Sequence, residues 1–262
     1  MMLRAAALVG ALAVAMPMPA QAVEGGRSFE AEYSFTLYGL PIGRSTFRST
    51  ISGDAFSIDG TIASAGLARL FDSTKGTTSA SGRFASGVSR PDSYSLSYTS
   101  GRKAKRTDIA FANGSVTSTQ TTPKPKPRPA TWKPLDKRDL VAVADPISGT
   151  LIRAASPDEV CNRTLKLYDG EMRADLKLSA AGRKPLKTNG FDGDAVVCRA
   201  AFVPISGYKA GDKTVEFLKT KGRIVIQFAE MADTGVYAPV HLSTATEIGT
   251  LTMTAQRFGP AP

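Results

Sequence analysis

From Ser28 onward polarity alternates with a period of two, and that rhythm limits the fold more than any other feature of the chain. Phe29, Ala31, Tyr33, Phe35 and Leu37 alternate with Ser28, Glu30, Glu32, Ser34 and Thr36. Successive side chains of a strand point to opposite faces, so the pattern predicts a half-buried β-strand. The rhythm returns in Phe56-Ile58-Ile62, Tyr94-Leu96-Tyr98, Ile109-Phe111, Leu165-Leu167, Leu176-Leu178, Ile224-Ile226-Phe228, Val236-Ala238-Val240-Leu242 and Leu251-Met253-Ala255. Glycine-containing turn sequences separate the runs: Ser52-Gly53-Asp54, Asn113-Gly114, Asp169-Gly170, Asp192-Gly193 and Lys221-Gly222. Such sequences accept the positive φ of tight reversals between antiparallel neighbours. The expected fold is therefore mainly β, with one long meandering antiparallel sheet. A sheet of roughly a dozen strands curls rather than staying flat, which predicts an open barrel or spiral.

Two interruptions organise this sheet. Pro123, Pro125, Pro127 and Pro129 alternate with Lys124, Lys126 and Arg128, and Trp132 and Pro134 follow. Proline at this density prevents both helix and central strand, so residues 122–134 are expected to be an extended surface linker. Then Asp145 can cap a helix whose first position is Pro146. The spacing predicts one short internal helix over 146–155, placed to cover the barrel mouth or fill part of its interior.

The N-terminus addresses the chain. Arg4 precedes an apolar run from Ala5 to Met16, followed by Pro17, Pro19 and the small-x-small site Ala20-Gln21-Ala22. The run is shorter than the about 20 residues a bilayer-spanning helix needs. Residues 1–22 read as a cleavable secretory signal, leaving 23–262 as a single β-rich periplasmic domain without a transmembrane anchor. In an oxidising compartment Cys161 and Cys198 are expected to form one disulfide. Two free buried thiols or a redox pair are the alternatives, although the Cys-x-x-Cys spacing typical of redox pairs is absent.

The formal net charge of +10 is concentrated in one place. Arg102, Lys103, Lys105, Arg106, Lys124, Lys126, Arg128, Lys133, Lys137 and Arg138 are opposed only by Asp108 and Asp136, so this stretch holds +8. Phe111 and Trp132 are its only aromatics, which is not the interleaved stacking of a single-strand nucleic-acid binder. Nucleic acid is therefore not an expected partner. The stretch is either a solvated basic edge or a surface that meets anionic lipid or envelope polymer through Arg102, Lys103, Lys105, Arg106, Lys124, Lys126 and Arg128.

Catalytic patterns are missing. His241 is the only histidine, it lies in a predicted strand, and no Gly-x-Ser-x-Gly elbow accompanies it. One histidine and two cysteines expected to be bonded leave transition metals without their usual ligands. No dinucleotide or phosphate-binding glycine loop occurs, and Asp169, Asp192 and Asp194 read as turn residues rather than glycosidase carboxylates. The expectation is a protein without catalytic residues, cofactor or metal. The aromatics are more informative. Phe29, Tyr33, Phe35, Phe56, Tyr94, Tyr98 and Phe111 all fall in predicted strands. They either pack a filled core or line an apolar cleft of the kind that takes lipid-like ligands.

Tyr33 through Gly43, Ser64-Ala65-Gly66-Leu67, Asp145-Pro146-Ile147-Ser148, Cys161 before Tyr168-Asp169-Gly170, Cys198 and the late Pro239-Val240 segment occur in one order. That order resembles the exported domain-of-unknown-function family numbered 3108, in its alphaproteobacterial form, over nearly all of the mature chain. The resemblance implies a periplasmic β-rich protein in which Cys161 and Cys198 pair. More loosely, the architecture is similar to the open barrels that carry lipoproteins between bacterial membranes and to β-spiral proteins of envelope integrity. Two functions follow as expectations. One is a non-catalytic envelope protein that binds an apolar or lipid-like ligand, lipoprotein or anionic envelope surface. The other is a protein-protein interaction or structural module with a filled core.

Overall fold

The computed structural model describes residues 26–66 and 73–262, so the leader expected over 1–22 lies outside the described residues. The N-terminal half is a meander: β1 (Arg27–Leu37), β2 (Leu40–Ser52), β3 (Ala55–Ser64), β4 (Thr74–Ala85), β5 (Val88–Ser100), β6 (Lys103–Ala112) and β7 (Ser115–Thr122). Each strand pairs antiparallel with the next. An extended, exposed proline segment then leads to β8 (Trp132–Lys133) and β9 (Ile152–Arg153). The C-terminal half contains β10 (Thr164–Tyr168), β11 (Arg173–Thr188), β12 (Phe191–Ser206), β13 (Tyr208–Lys209), the helix α1 (Lys213–Lys221), β14 (Ile224–Glu230), β15 (Val236–Thr246) and β16 (Gly249–Pro260).

One sheet of fourteen strands results, with β8 and β13 forming a separate pair. Its centre is the pairing of β16 with β1, which joins the two halves. β9 is the closing piece. It pairs with β15 through Tyr237↔Ile152 and with β5 through Val88↔Ile152. The path β15-β16-β1-β2-β3-β4-β5-β9 is thereby a closed ring of eight strands. Strands β6 and β7 continue the sheet past β5, and β14, β12, β11 and β10 continue it past β15. The expected meander and curl are thus present, and the curl proceeds to closure.

Register shifts help bend the sheet, at Glu32/Tyr33 and Phe35/Thr36 in β1 and at Ser81/Gly82 in β4. An extra residue on one strand strengthens the local twist. Gly60 in β3 has a packing role, because the Phe47 ring lies where its Cβ would be. The interior rows are Phe29, Ala31 and Tyr33 from β1, Phe56 and Ile58 from β3, and Val236, Ala238 and Val240 from β15, all buried in one cluster with Phe258. Fully burying a side chain such as Phe258 or Phe228 contributes about 2–3 kcal/mol. Cys161 and Cys198 are bonded, and both are buried in a second cluster with Leu178, Val196, Ile226 and Phe228.

Three local expectations are corrected. The segment 146–155 is not an α-helix. Asp145 caps as expected, its Oδ1 accepting from the Ile147 and Ser148 amides at 2.9 Å each. Only one 3-10 turn follows, Ser148–Thr150, because Ile152 pairs into the sheet immediately afterwards. The one α-helix among the described residues is α1, capped by Asp212, whose side chain accepts from the Val215 amide. Lys221-Gly222 therefore ends a helix rather than joining two strands. Asp192-Gly193 lies inside β12, and the reversal before it is made by Asn189-Gly190.

The hairpin turns are not all alike. Asn113-Gly114 joins β6 to β7 with both residues at positive φ (52° and 74°), the type I′ pattern. Tyr38-Gly39 joins β1 to β2 in the same conformation (52° and 79°), but with an aromatic where Asn or Gly is favoured. A left-handed conformation costs an ordinary L-residue about 1–2 kcal/mol.

Candidate functional site

The barrel interior is not filled. A cavity of about 290 Å³ lies inside it, reached by Phe29, Tyr33 and Phe35 from β1, Phe47 from β2, and Ile58 and Ile62 from β3. The wall continues on the other side of β1 with Met253 and Phe258 from β16 and Ala238, Pro239 and Leu242 from β15. Pro146, Ile147, Thr150 and Leu151 contribute one side, so the segment read as a helix does reach the interior, as a turn. Small side chains on neighbouring strands of the ring help leave this space open. Ala31, Ser45, Ser49 and Ala238 all line it, leaving space that larger residues would occupy.

Burial grades along the cavity. Phe29, Met231, Leu151 and Phe258 at one end are buried, whereas Phe35, Ile62, Leu242 and Met253 at the other are half-buried. The cavity therefore opens towards the end of the barrel that carries the β1–β2 and β15–β16 turns. The lining is almost wholly apolar. Burial pushes the Tyr33 hydroxyl above its ordinary pKa, and the group donates to the Pro239 carbonyl at 2.8 Å. Ser45 is different: its hydroxyl is buried in the wall and has no hydrogen-bond partner. A buried hydroxyl without a partner carries a desolvation cost of about 1–3 kcal/mol that a ligand oxygen or nitrogen would relieve.

Of the seven aromatics singled out by sequence, the structure brings Phe29, Tyr33 and Phe35 to the cavity. Phe56 instead packs on Phe84, with ring centroids 5.1 Å apart. Tyr94 and Phe111 belong to a separate cluster with Ile109, Val143 and Tyr168, and Tyr98 is half-buried near the end of β5. Sequence reasoning missed Phe47, Ile58, Ile62, Leu242 and Met253 as lining. The last four sit in alternating runs that were legible, but aromatic identity is not what selects lining residues.

The basic stretch divides in two. Arg106 pairs with Asp108 at 2.7 Å, while Arg128 pairs with Glu171 at 2.7 Å and lies over the Trp132 ring at 4.1 Å. Lys105 approaches Glu171 at 3.8 Å. Arg102, Lys103, Lys124 and Lys126 are exposed and make no ion pair among the described residues. His241 contacts the Thr254 hydroxyl at 3.1 Å, and among the described residues no group of His, Cys, Asp or Glu could hold a metal ion. No described helix is long and apolar enough to cross a membrane.

A closed antiparallel barrel with an apolar interior cavity defines the class of this protein. The chain belongs to the family described as "Protein of unknown function (DUF3108)", which it matches over residues 29–256. Among solved structures, it is similar to a β-barrel-like protein of domain of unknown function DUF1849 from Brucella abortus. That similarity has 9% identity and a TM-score of 0.48, covering 90% of this chain and 98% of the other. It is also similar to a protein titled a putative lipoprotein from Parabacteroides distasonis, at 9% identity and a TM-score of 0.34, covering 88% of this chain and 95% of the other. Among curated proteins none matches this sequence.

Proposed function

We propose that this is a non-catalytic periplasmic protein of the cell envelope that holds the apolar chain of a lipid-like ligand inside its barrel. One observation carries the reading: a cavity of about 290 Å³ with an apolar lining and a buried, unpartnered hydroxyl, Ser45, in its wall. Small-molecule sites are concave, mostly apolar and span about 300–1,000 Å³, with a few polar groups that fix orientation. The cavity lies at the small end of that range, which suits one acyl chain rather than a bulky lipid. Ser45 would donate to the ester or carboxyl oxygen at the head of that chain.

The test fills the space. Ala238 is buried and faces the cavity, so Ala238→Phe places a ring where the chain would lie. Wild type is expected to carry co-purifying lipid in native mass spectrometry and to enhance the fluorescence of cis-parinaric acid. Ala238→Phe is expected to lose both while melting cooperatively. Purified wild type that holds no lipid and leaves the probe unbound would overturn the reading.

A further inference from the structure

We infer that the end of the barrel carrying the β1–β2 and β15–β16 turns is a docking surface for an anionic lipid bilayer, which places the cavity mouth against the membrane. This deepens the proposed function by naming where the ligand comes from, and rests on it in that respect alone. Tyr38 is 73% exposed, Ile248 69% and Leu40 55%. They form one patch, since the Tyr38 ring lies against Gly249, next to Ile248, and the Tyr38 amide donates to the Thr250 carbonyl at 3.0 Å. Large apolar side chains clustered on hairpin tips gain nothing in water, and such patches mark interaction sites. Tyr38 adds a second argument. The same turn type is made elsewhere in this chain by Asn113-Gly114, so the backbone does not need an aromatic there. A tyrosine held in a left-handed conformation with most of its surface in solvent runs against local preference, and strain of this kind clusters at functional sites.

The patch is continuous with the cavity. Strand register pairs Phe35 with Met253 and then Leu37 with Leu251, two residues further along the same face. Phe35 and Met253 line the cavity, and the next pair lies directly below the exposed tips. An apolar row thus runs from interior to mouth to surface. An acyl chain leaving a bilayer would follow it without crossing water.

Charge specifies the partner. The register Ser34↔Arg44, Arg44↔Ala63, Ala63↔Lys75 sets two cations in one row around this end, and Arg102 and Lys103 stand at the turn that follows β5. All four are exposed and make no ion pair among the described residues. Glu247, the acid beside Ile248, takes a hydrogen bond from Thr214 at 3.2 Å. Apolar and aromatic tips flanked on the β2–β6 side by exposed cations match the interface of a membrane with anionic headgroups. A protein partner would be expected to offer acids at fixed positions instead.

The experiment is co-sedimentation of the purified protein with phosphatidylethanolamine–phosphatidylglycerol vesicles, using pure phosphatidylcholine vesicles as the neutral arm. Wild type should bind the anionic vesicles, lose binding at high salt and ignore the neutral ones. Tyr38→Asn with Leu40→Ser and Ile248→Ser should weaken binding by about tenfold or more, because buried apolar area drives such association. Tyr38→Asn alone checks folding, since Asn suits the turn and the variant should melt no lower than wild type. Cis-parinaric acid binding without vesicles should survive in the triple variant. Equal binding to neutral vesicles, unchanged vesicle binding by the triple variant, or loss of its parinaric acid binding would each overturn the docking surface. Failure of wild type to bind parinaric acid while still binding vesicles would sink the cavity reading and leave the docking surface standing.

Discussion

Asp145 is wholly buried at the head of the 3-10 turn beneath the cavity wall. One carboxylate oxygen caps the turn, and the other has no hydrogen-bond partner. Burial outweighs the capping amides and holds the group above the ordinary carboxylate range. A carboxyl whose folded pKa is raised supports the fold at low pH and loses that support as pH rises through its folded value. Asp145→Asn keeps the capping oxygen and removes the charge. It is therefore expected to melt at least as high as wild type at neutral pH and to flatten the decline of Tm on the alkaline side of the carboxylate range. His241 slopes the other way. Burial, with Lys184 adding to it, holds its imidazole below the ordinary value. Stability is expected to fall as pH drops through the unfolded histidine range, near 6.5. His241→Gln, followed by thermal melts from neutral to mildly acidic pH, should remove that part of the fall.

Among the elements, the disulfide makes the plainest prediction. Cys161 and Cys198 are 37 positions apart, and the bond ties the segment before β10 to the centre of β12. Closing a loop of that length stabilises by about 4 kcal/mol on the chain-entropy argument. Cys161→Ser should melt well below wild type in an oxidising buffer, and reductant should lower the wild type to meet it. The sequence rhythm was clearest where the inward row is large and apolar, as in β1, β14 and β15. It failed for β2 and β4, whose inward positions include Ser45 and Ser49 or Thr78, Ala80 and Gly82. Those small residues are what the interior of a narrow ring requires, so the strands hardest to read are those that make room for the cavity. For the same reason alternation identified the face of Phe29, Tyr33 and Phe35 but not whether the space before them was occupied, which depends on residues across the ring. The helix α1 was missed because none of its residues is buried, although Asp212 and Gly222 flank it as ordinary boundary signals.

At the scale of the whole molecule, a ring built from long hairpins closes through a strand of two residues. Ile152, 1% exposed, pairs with both β5 and β15. Ile152→Ala is expected to cost about 2–4 kcal/mol, as for other large-to-small core changes. Hydrogen exchange should show the loss of protection concentrated at Val88 and Val236–Tyr237, while β1 to β4 keep theirs. The pairing of β1 with β16 has a different consequence. Ser34 and Thr254, in contact across it, are 220 positions apart. A ribosome delivers β1 more than 200 residues before its second neighbour, so the middle of the finished sheet is a bare edge until β16 emerges. Shortening the chain within Gly249–Pro260 would not trim a margin but cut the molecule along its midline, leaving two half-sheets with sticky borders. Quality control that senses such borders would reject an incomplete copy however well its first hairpins had formed.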